Sequence, residues 1–124
     1  SVWRKDNDMR FKLIIALVDD HHTENILDAA RDAGATGATV VTSARGEGIT
    51  PEKTFLGLEI VGHRDLLMFL VVEQLSREIL ETIAKAGEFD QKAGSGIAFQ
   101  IAIEDAVGLQ SQLKVLSEEI EEQL

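Results

Sequence analysis

The stretch Gly34-Ala35-Thr36-Gly37-Ala38-Thr39-Val40-Val41 opens a strand directly after a helical pattern. A second stretch, Gly94-Ser95-Gly96-Ile97-Ala98-Phe99-Gln100-Ile101, does the same near the other end of the chain. Glycines at such positions let a backbone or a ligand approach where a side chain would block it, and exposed N–H groups in such turns can hold an anion. Glycines are also expected in ordinary helix-to-strand turns, so a structural role stays open beside a phosphate site.

The apolar pattern around these stretches predicts two repeats of strand, helix and strand. Four strands are predicted, at Phe11 to Val18, Ala38 to Ser43, Leu66 to Val72 and Ile97 to Ile103. The first helix is expected to be capped by Asp19 or Asp20 and to end at Gly34, and the second to be capped by Ser76 and to end at Gly87. Such an order predicts an α+β ferredoxin-like βαββαβ sandwich, in which both helices cover one face of an antiparallel sheet.

The segments outside this frame carry weaker patterns. Phe55 to Val61 is predicted to hold a short extended piece after a glycine-containing loop. Ser1 to Met9 is expected to be a disordered arm or residues left by cloning, and residues 10–124 to form one domain. Near the end, four apolar residues recur at helical spacing and predict an amphipathic C-terminal helix: Leu113, Leu116, Ile120 and Leu124.

Two strands are apolar at odd and even positions alike, Leu13 to Val18 and Leu66 to Val72. Such strands need burial on both faces. Because two helices cover only one face of the sheet, the other must be covered by the tail helix or by another subunit. We therefore expect a homo-oligomer.

Composition excludes several classes of function. The chain has 124 residues with a formal charge of −10, which argues against binding to nucleic acid or anionic lipid. It has no cysteine, as suits a reducing cytoplasm. Its longest apolar run, Leu66 to Val72, is too short to span a bilayer. We expect a soluble cytoplasmic protein that does not insert into a membrane.

Three sequence features together resemble the P-II signalling family and its divergent P-II-like relatives, over about Met9 to Gln112. They are Gly34 to Val40, the loop Arg45-Gly46-Glu47-Gly48, and Gly94 to Phe99 leading to Ile103-Glu104-Asp105. The resemblance implies a homotrimer with its sheets turned inward and an adenine nucleotide (ATP, ADP or AMP) in clefts between subunits. It also implies a long T-loop that docks on a target protein such as a membrane transporter.

The resemblance also carries over site residues. Thr36 and Gly37 would lie by the adenine, and Gly46 and Gly48 would begin the T-loop near the phosphates. The backbone of Gly94, Ser95 and Gly96 would donate to the phosphates. The segment from Arg45 to Arg64 would be the mobile partner-binding loop, and Arg45, His63, Arg64 and Lys92 are cations that could turn toward an anion.

The chain departs from the family pattern at three cationic positions. Ile97 stands where the family places a phosphate-binding lysine, and Gly108 and Gln110 stand where typical members carry two arginines. Each lost charge-assisted hydrogen bond is worth about 1 to 3 kcal/mol. We therefore expect ATP to be penalised more than AMP.

Two other classes of function are kept as alternatives. Adjacent carboxylates and imidazoles at Asp19-Asp20-His21-His22, with His63, could hold a divalent metal as in the CutA-like trimers, although an aspartate there is also a common helix cap. A small hydrolase such as an acylphosphatase uses a similar frame. Such an enzyme needs an arginine cradle with an asparagine, which no cluster here supplies, so the chain is expected not to be an enzyme.

Overall fold

The computed structural model describes residues 10–44, 54–55, 58–59 and 64–108. Its elements in chain order are β1 (Phe11–Asp19), a 3₁₀ turn (Asp20–His22), α1 (Thr23–Asp32), β2 (Ala38–Ala44), β3 (Thr54–Phe55), β4 (Leu58–Glu59), β5 (Arg64–Val72), α2 (Glu73–Ala86) and β6 (Gly96–Ala102). The N-terminal arm and the C-terminal helix predicted from the sequence lie outside the described residues.

The four long strands form one antiparallel sheet in the order β2-β5-β1-β6. With a helix after β1 and another after β5, this is the α+β ferredoxin-like arrangement predicted from the sequence. The short strands β3 and β4 pair with each other, where the sequence predicted one extended piece at Phe55 to Val61.

The core lies between the helices and one face of the sheet. Alternate residues of β1 and β5 point to this side, and Ile14, Val18, Leu67 and Phe69 are at most 1% exposed. They pack with apolar residues of α1 and α2, among them Ile26, Ala30, Ile79 and Ile83. Alternate residues of each strand point to one face of the sheet, and residues three or four apart lie on one face of each helix. Both sets of apolar residues therefore meet in this one layer.

The opposite face of the sheet is apolar but incompletely covered by the described residues. Its cross-strand neighbours are Leu13 with Leu70, Ile15 with Met68, and Leu17 with Leu66, and all six are only half-buried. Toward the sheet edges, Val41 and Ile101 are 44% and 42% exposed. The sequence predicted that β1 and β5 carry apolar residues on both faces, and these six residues are the apolar residues of the second face.

The start of α2 differs from the sequence prediction. Ser76 was expected to cap the helix, but α2 begins at Glu73, directly after β5, with Val72 as its N-cap residue. Ser76 is buried inside the first turn, and its hydroxyl donates to the carbonyl of Glu73 at 2.9 Å. The helix begins early because the Glu73 N–H donates to the Arg10 carbonyl at 2.9 Å, which satisfies a donor that a cap would otherwise serve.

One buried polar contact fixes α1 to the sheet. The Thr23 hydroxyl in the first turn of α1 donates to the Asp65 carboxylate of β5 at 2.6 Å, and both residues are at most 7% exposed. A hydrogen bond to a buried carboxylate is short and strong. It holds the start of α1 over the start of β5.

Candidate functional site

The first predicted motif forms the turn between α1 and β2, residues 33–37, which we call the α1–β2 turn. The N–H groups of Ala33, Gly34 and Ala35 donate back to carbonyls of the last helical residues. Gly34 has a φ of +119°, a conformation in which side chains are strained, and a Cβ there would overlap the Leu75 side chain. Gly34 is therefore explained by the turn and by its packing on α2.

An open pocket borders this turn on the helix side of the sheet. The polar side chains among the lining residues are those of Arg31 and Thr36, and the others are apolar or glycine. The lining residues are Leu27, Arg31, Ala35, Thr36, Gly37, Ala38 and Phe69. Gly37 is exposed, and a Cβ at this position would meet no atom within 4 Å. The pocket thus borders both of the residues predicted to lie near the adenine, with open space at Gly37.

The second predicted motif lies in the turn between α2 and β6, residues 87–95, which we call the α2–β6 turn. The Ser95 hydroxyl lies within hydrogen-bond distance of the carbonyls of Glu88 and Lys92, at 2.9 and 2.8 Å. The Ser95 N–H also donates to the Lys92 carbonyl, at 3.1 Å. The polar groups of Ser95 that could donate to an anion are thus bonded within the turn.

The two glycines beside Ser95 differ in their surroundings. Gly94 is exposed, has a φ of +83°, and would bring a Cβ near no other atom. At Gly96 a Cβ would overlap the ring of Phe89. Gly94 is required by the turn conformation, whereas Gly96 is required by the packing of an aromatic ring. Lys92, the predicted cation of this turn, is exposed.

The two turns lie at opposite corners of the sheet. Ala38, next to Gly37, is level with Phe69, Ile14 and Gln100, whereas Gly96 is level with Val18. Three strand spacings and four residues along a strand separate them, a distance of about 20 Å. Within one chain, the structure does not bring Thr36 and Gly37 together with Lys92, Gly94, Ser95 and Gly96.

Arg45, Gly46 and Gly48 lie outside the described residues, but both ends of their loop are anchored. Ala44, which precedes the loop, pairs with Arg64, which follows it. Arg64 reaches the α2–β6 turn, with its Nη1 atom 3.4 Å from the Ser95 carbonyl oxygen. The Asp19 N–H donates to the same oxygen at 3.0 Å. The loop therefore leaves and re-enters the sheet at the end that carries the α2–β6 turn.

The alternative metal site is partly assembled. One ligand atom each from Asp19, Asp20 and His21 lies within 4.8 Å of the others. The Asp19 carboxylate, however, caps the 3₁₀ turn by accepting the His21 N–H at 2.9 Å. The predicted aspartate cap therefore serves this turn and not α1, whose N-cap residue is His22 with no side-chain cap. The hydrogen bond from the His21 N–H holds the pKa of Asp19 below its usual range. The hydrogen bond between the His21 Nδ1 atom and the Asp19 carboxylate, 2.8 Å apart, raises the pKa of that imidazole.

His22 is directed away from this cluster. Its Nε2 atom lies 3.0 Å from the Glu88 carboxylate, and its side chain is 15% exposed. Glu88 has a positive φ of 57°, and its carbonyl also accepts the N–H groups of Gln91 and Lys92. His22 is therefore a tether between the start of α1 and the α2–β6 turn. His63 lies outside the described residues.

Three residues that shape the two turns were not predicted as site residues: Arg31, Phe69 and Phe89. Arg31 follows Leu27 by four residues, a spacing that puts both on one face of α1, and this spacing was the available signal. No sequence signal distinguished Phe69 and Phe89 from other core residues.

Among the described residues, neither helix has the length and apolar composition needed to cross a membrane.

The sequence model described as nitrogen regulatory protein P-II matches residues 11–112. No curated protein matches this chain. A structure described as a PII-like signalling protein from Thermus thermophilus is similar, with 22% identity and a TM-score of 0.55, covering 77% of this chain and 90% of that one. A protein of unknown function from Pediococcus pentosaceus has 21% identity and a TM-score of 0.57, covering 79% and 96%.

Proposed function

The chain belongs to the nitrogen regulatory protein P-II family, and from this premise we propose that it is a regulatory protein rather than an enzyme. It binds an adenine nucleotide or a small anion in clefts between the subunits of a homotrimer. Through the loop from Arg45 to Arg64 it controls a target protein, with a membrane transporter as the first candidate.

The observation that carries this proposal is the position of the two glycine turns at opposite corners of the sheet. A ligand that contacts both turns has to lie between two chains, because about 20 Å separates them in one chain. The apolar face of the sheet that the described residues leave half-covered supports the same conclusion, since such apolar patches commonly mark interaction surfaces. A second copy of the chain meets both requirements.

The anchoring of the loop supports a regulatory role. Arg64, where the loop ends and β5 begins, contacts the Ser95 carbonyl in the α2–β6 turn. A change at this turn on ligand binding would therefore reach the root of the loop through a direct contact. A target protein that docks on the loop would be coupled to the ligand in the same way.

The chemistry of the α2–β6 turn favours ligands with few phosphates. The hydroxyl and N–H of Ser95 are bonded within the turn, and Ile97 offers no donor. The exposed cation of this turn is Lys92. We therefore expect AMP, or a compact anion, to bind more tightly than ATP.

Calorimetric titration with ATP, ADP, AMP and bicarbonate tests the proposal. Gly37→Val places a side chain in open space, so it should leave the fold intact and weaken AMP binding by obstructing the ligand. Lys92→Gln should weaken binding from the other turn, whereas Lys85→Gln, an exposed lysine at the end of α2, is the matched control.

Absence of binding by all four compounds at millimolar concentration would contradict the proposed ligand class. Binding of a divalent metal that is lost in His21→Ala would replace it with the metal-binding alternative. Binding that is equal in the wild type, Gly37→Val and Lys92→Gln would move the ligand away from both turns.

A further inference from the structure

We infer that Arg31 is an anion-binding residue, and that the pocket beside the α1–β2 turn takes a compact oxyanion: a carboxylate, bicarbonate or a phosphate monoester. The inference rests on the proposed function in one respect, because Thr36 and Gly37 border this pocket and also belong to the proposed cleft. It departs from the resemblance, which places the adenine beside Thr36 and Gly37, by assigning a charged oxyanion to this turn, and it adds Arg31 as a cation of the cleft.

The pocket combines features that suit a small charged group. Leu27 and Phe69 line it with apolar surface, and the Thr36 hydroxyl and the Arg31 guanidinium are the polar side-chain groups among its lining residues. A few placed polar groups on an apolar wall are typical of sites that orient a small ligand. A guanidinium presents five N–H donors in a planar fork that matches the two oxygens of a carboxylate or phosphate.

Arg31 has an intramolecular partner, but a weak one. Its Nη1 atom lies 3.1 Å from the Asp28 carboxylate, and both side chains are 66% exposed. An exposed ion pair of this kind contributes about 0 to 1 kcal/mol. A bound anion can therefore compete with Asp28 for the guanidinium, or use its remaining N–H groups.

The end of a helix normally repels anions, because its last carbonyls are unpaired. Here the carbonyls of Ala29, Ala30 and Arg31 accept N–H groups from Ala33, Gly34 and Ala35. Three of the last carbonyls of α1 are thus hydrogen-bonded within the helix and the turn. Arg31 also adds a full positive charge in the last helical turn, where a cation is favoured.

The chain offers a matched control for Arg31. Arg77 lies on α2 and pairs with Glu81 at 2.7 Å, with side chains 75% and 59% exposed. Both arginines are exposed, helical and paired with a carboxylate on their own helix. They differ in that Arg31 lines the pocket and Arg77 does not.

The experiment is a calorimetric titration of the full chain with inorganic phosphate, bicarbonate, acetate and AMP. We expect Arg31→Gln to weaken binding of the tightest anion at least tenfold and Arg77→Gln to leave it unchanged. Arg31→Lys should retain part of the affinity. Asp28→Asn should tighten binding a few-fold, because it removes the competing carboxylate. Phosphate-induced shifts of the Thr36 and Gly37 amide resonances should locate the ion.

The four ligands distinguish the possible sources of the oxyanion. Tighter binding of AMP than of phosphate that is lost in Arg31→Gln assigns the pocket to a nucleotide phosphate, and tighter binding of phosphate assigns it to a free anion. Equal affinity of the wild type and Arg31→Gln overturns this inference but leaves the proposed function standing. Binding of none of the ligands by the wild type overturns this inference, and absence of ATP and ADP binding as well overturns the proposed function.

Discussion

The ring of Phe89 lies in the space that a side chain on Gly96 would occupy. The same ring also fills the space beside Gly87, where an added Cβ would overlap it as well. Phe89 packs against the core from the α2–β6 turn. Two glycines, one at the end of α2 and one at the start of β6, are thus explained by a single aromatic side chain.

Replacing Gly96 by alanine is expected to lower the free energy of unfolding by about 1 to 3 kcal/mol, because the added methyl group overpacks the Phe89 ring. Chemical denaturation measures the loss. Gly37→Ala is the control, since a Cβ there meets no atom within 4 Å. In a double-mutant cycle, Phe89→Ala should remove most of the cost of Gly96→Ala. Equal stability of the two glycine variants would contradict the packing explanation.

The Thr23→Val variant tests the buried contact between α1 and β5. It keeps the shape of the side chain but removes the hydroxyl that donates to the Asp65 carboxylate at 2.6 Å. Loss of one hydrogen bond to a buried charged group costs about 1 to 3 kcal/mol. Denaturation of Thr42→Val, at an exposed position of β2, is the comparison. A loss below 0.5 kcal/mol at Thr23, a size usual for surface changes, would show that the contact contributes little.

The Asp19–His21 contact predicts a pH effect confined to the start of α1. The hydrogen bond to Asp19 raises the pKa of His21 above its usual 6.5. Its contribution to stability is therefore complete below that pH and is lost as the pH rises through the raised pKa. The pKa of Asp19 is lowered, so the contribution of Asp19 is present above its usual 3.8 and is lost as the pH falls through the lowered value.

Nuclear magnetic resonance titration of the imidazole checks this effect. Asp19→Asn should return the His21 pKa toward 6.5, and Asp20→Asn should lower it less, because Asp20 acts only through its charge. Asp32→Asn at the far end of α1 should not change it. A His21 pKa that is the same in all three variants would refute the assignment.

The half-covered face of the sheet predicts an assembly that a buried charge disrupts. Met68 lies at its centre, opposite Ile15 on one side and Thr39 on the other. In Met68→Glu an unpaired carboxylate would be buried on assembly, at a cost of several kcal/mol. Light scattering should show a trimer for the wild type and for Gln74→Glu, an exposed position of α2, but smaller species for Met68→Glu. A monomeric wild type at micromolar concentration would contradict the trimer.

Most of the fold could be predicted because its signals are local. The apolar runs place the ends of the four long strands, and the glycines at 34 and 87 the ends of the helices, to within about two residues. The start of α2 was predicted wrongly from Ser76. A serine whose hydroxyl bonds back to a helical carbonyl cannot be distinguished from an N-cap serine by sequence alone. The start of α2 depends on the Arg10 carbonyl, a contact that is distant in sequence.

The site was harder to predict, because glycine has two opposite uses. Gly37 adjoins open space, whereas Gly96 is covered by Phe89, yet both stand in the same kind of pattern. The role of Ser95 likewise depends on partners seven and three residues earlier, which take up its hydroxyl. These differences between residues of the two turns arise from packing and hydrogen bonding across the turn, and the short motif sequence does not reveal them.

The opposite placement of the two turns makes ligand binding and self-association parts of one equilibrium. If a ligand has to touch two chains, dilution that separates the chains also releases the ligand, and saturating ligand strengthens the assembly by an amount set by its concentration relative to its dissociation constant. Apparent affinity should then rise with protein concentration. The abundance of the protein in its cell would act as a second input to the same site, alongside the level of the ligand.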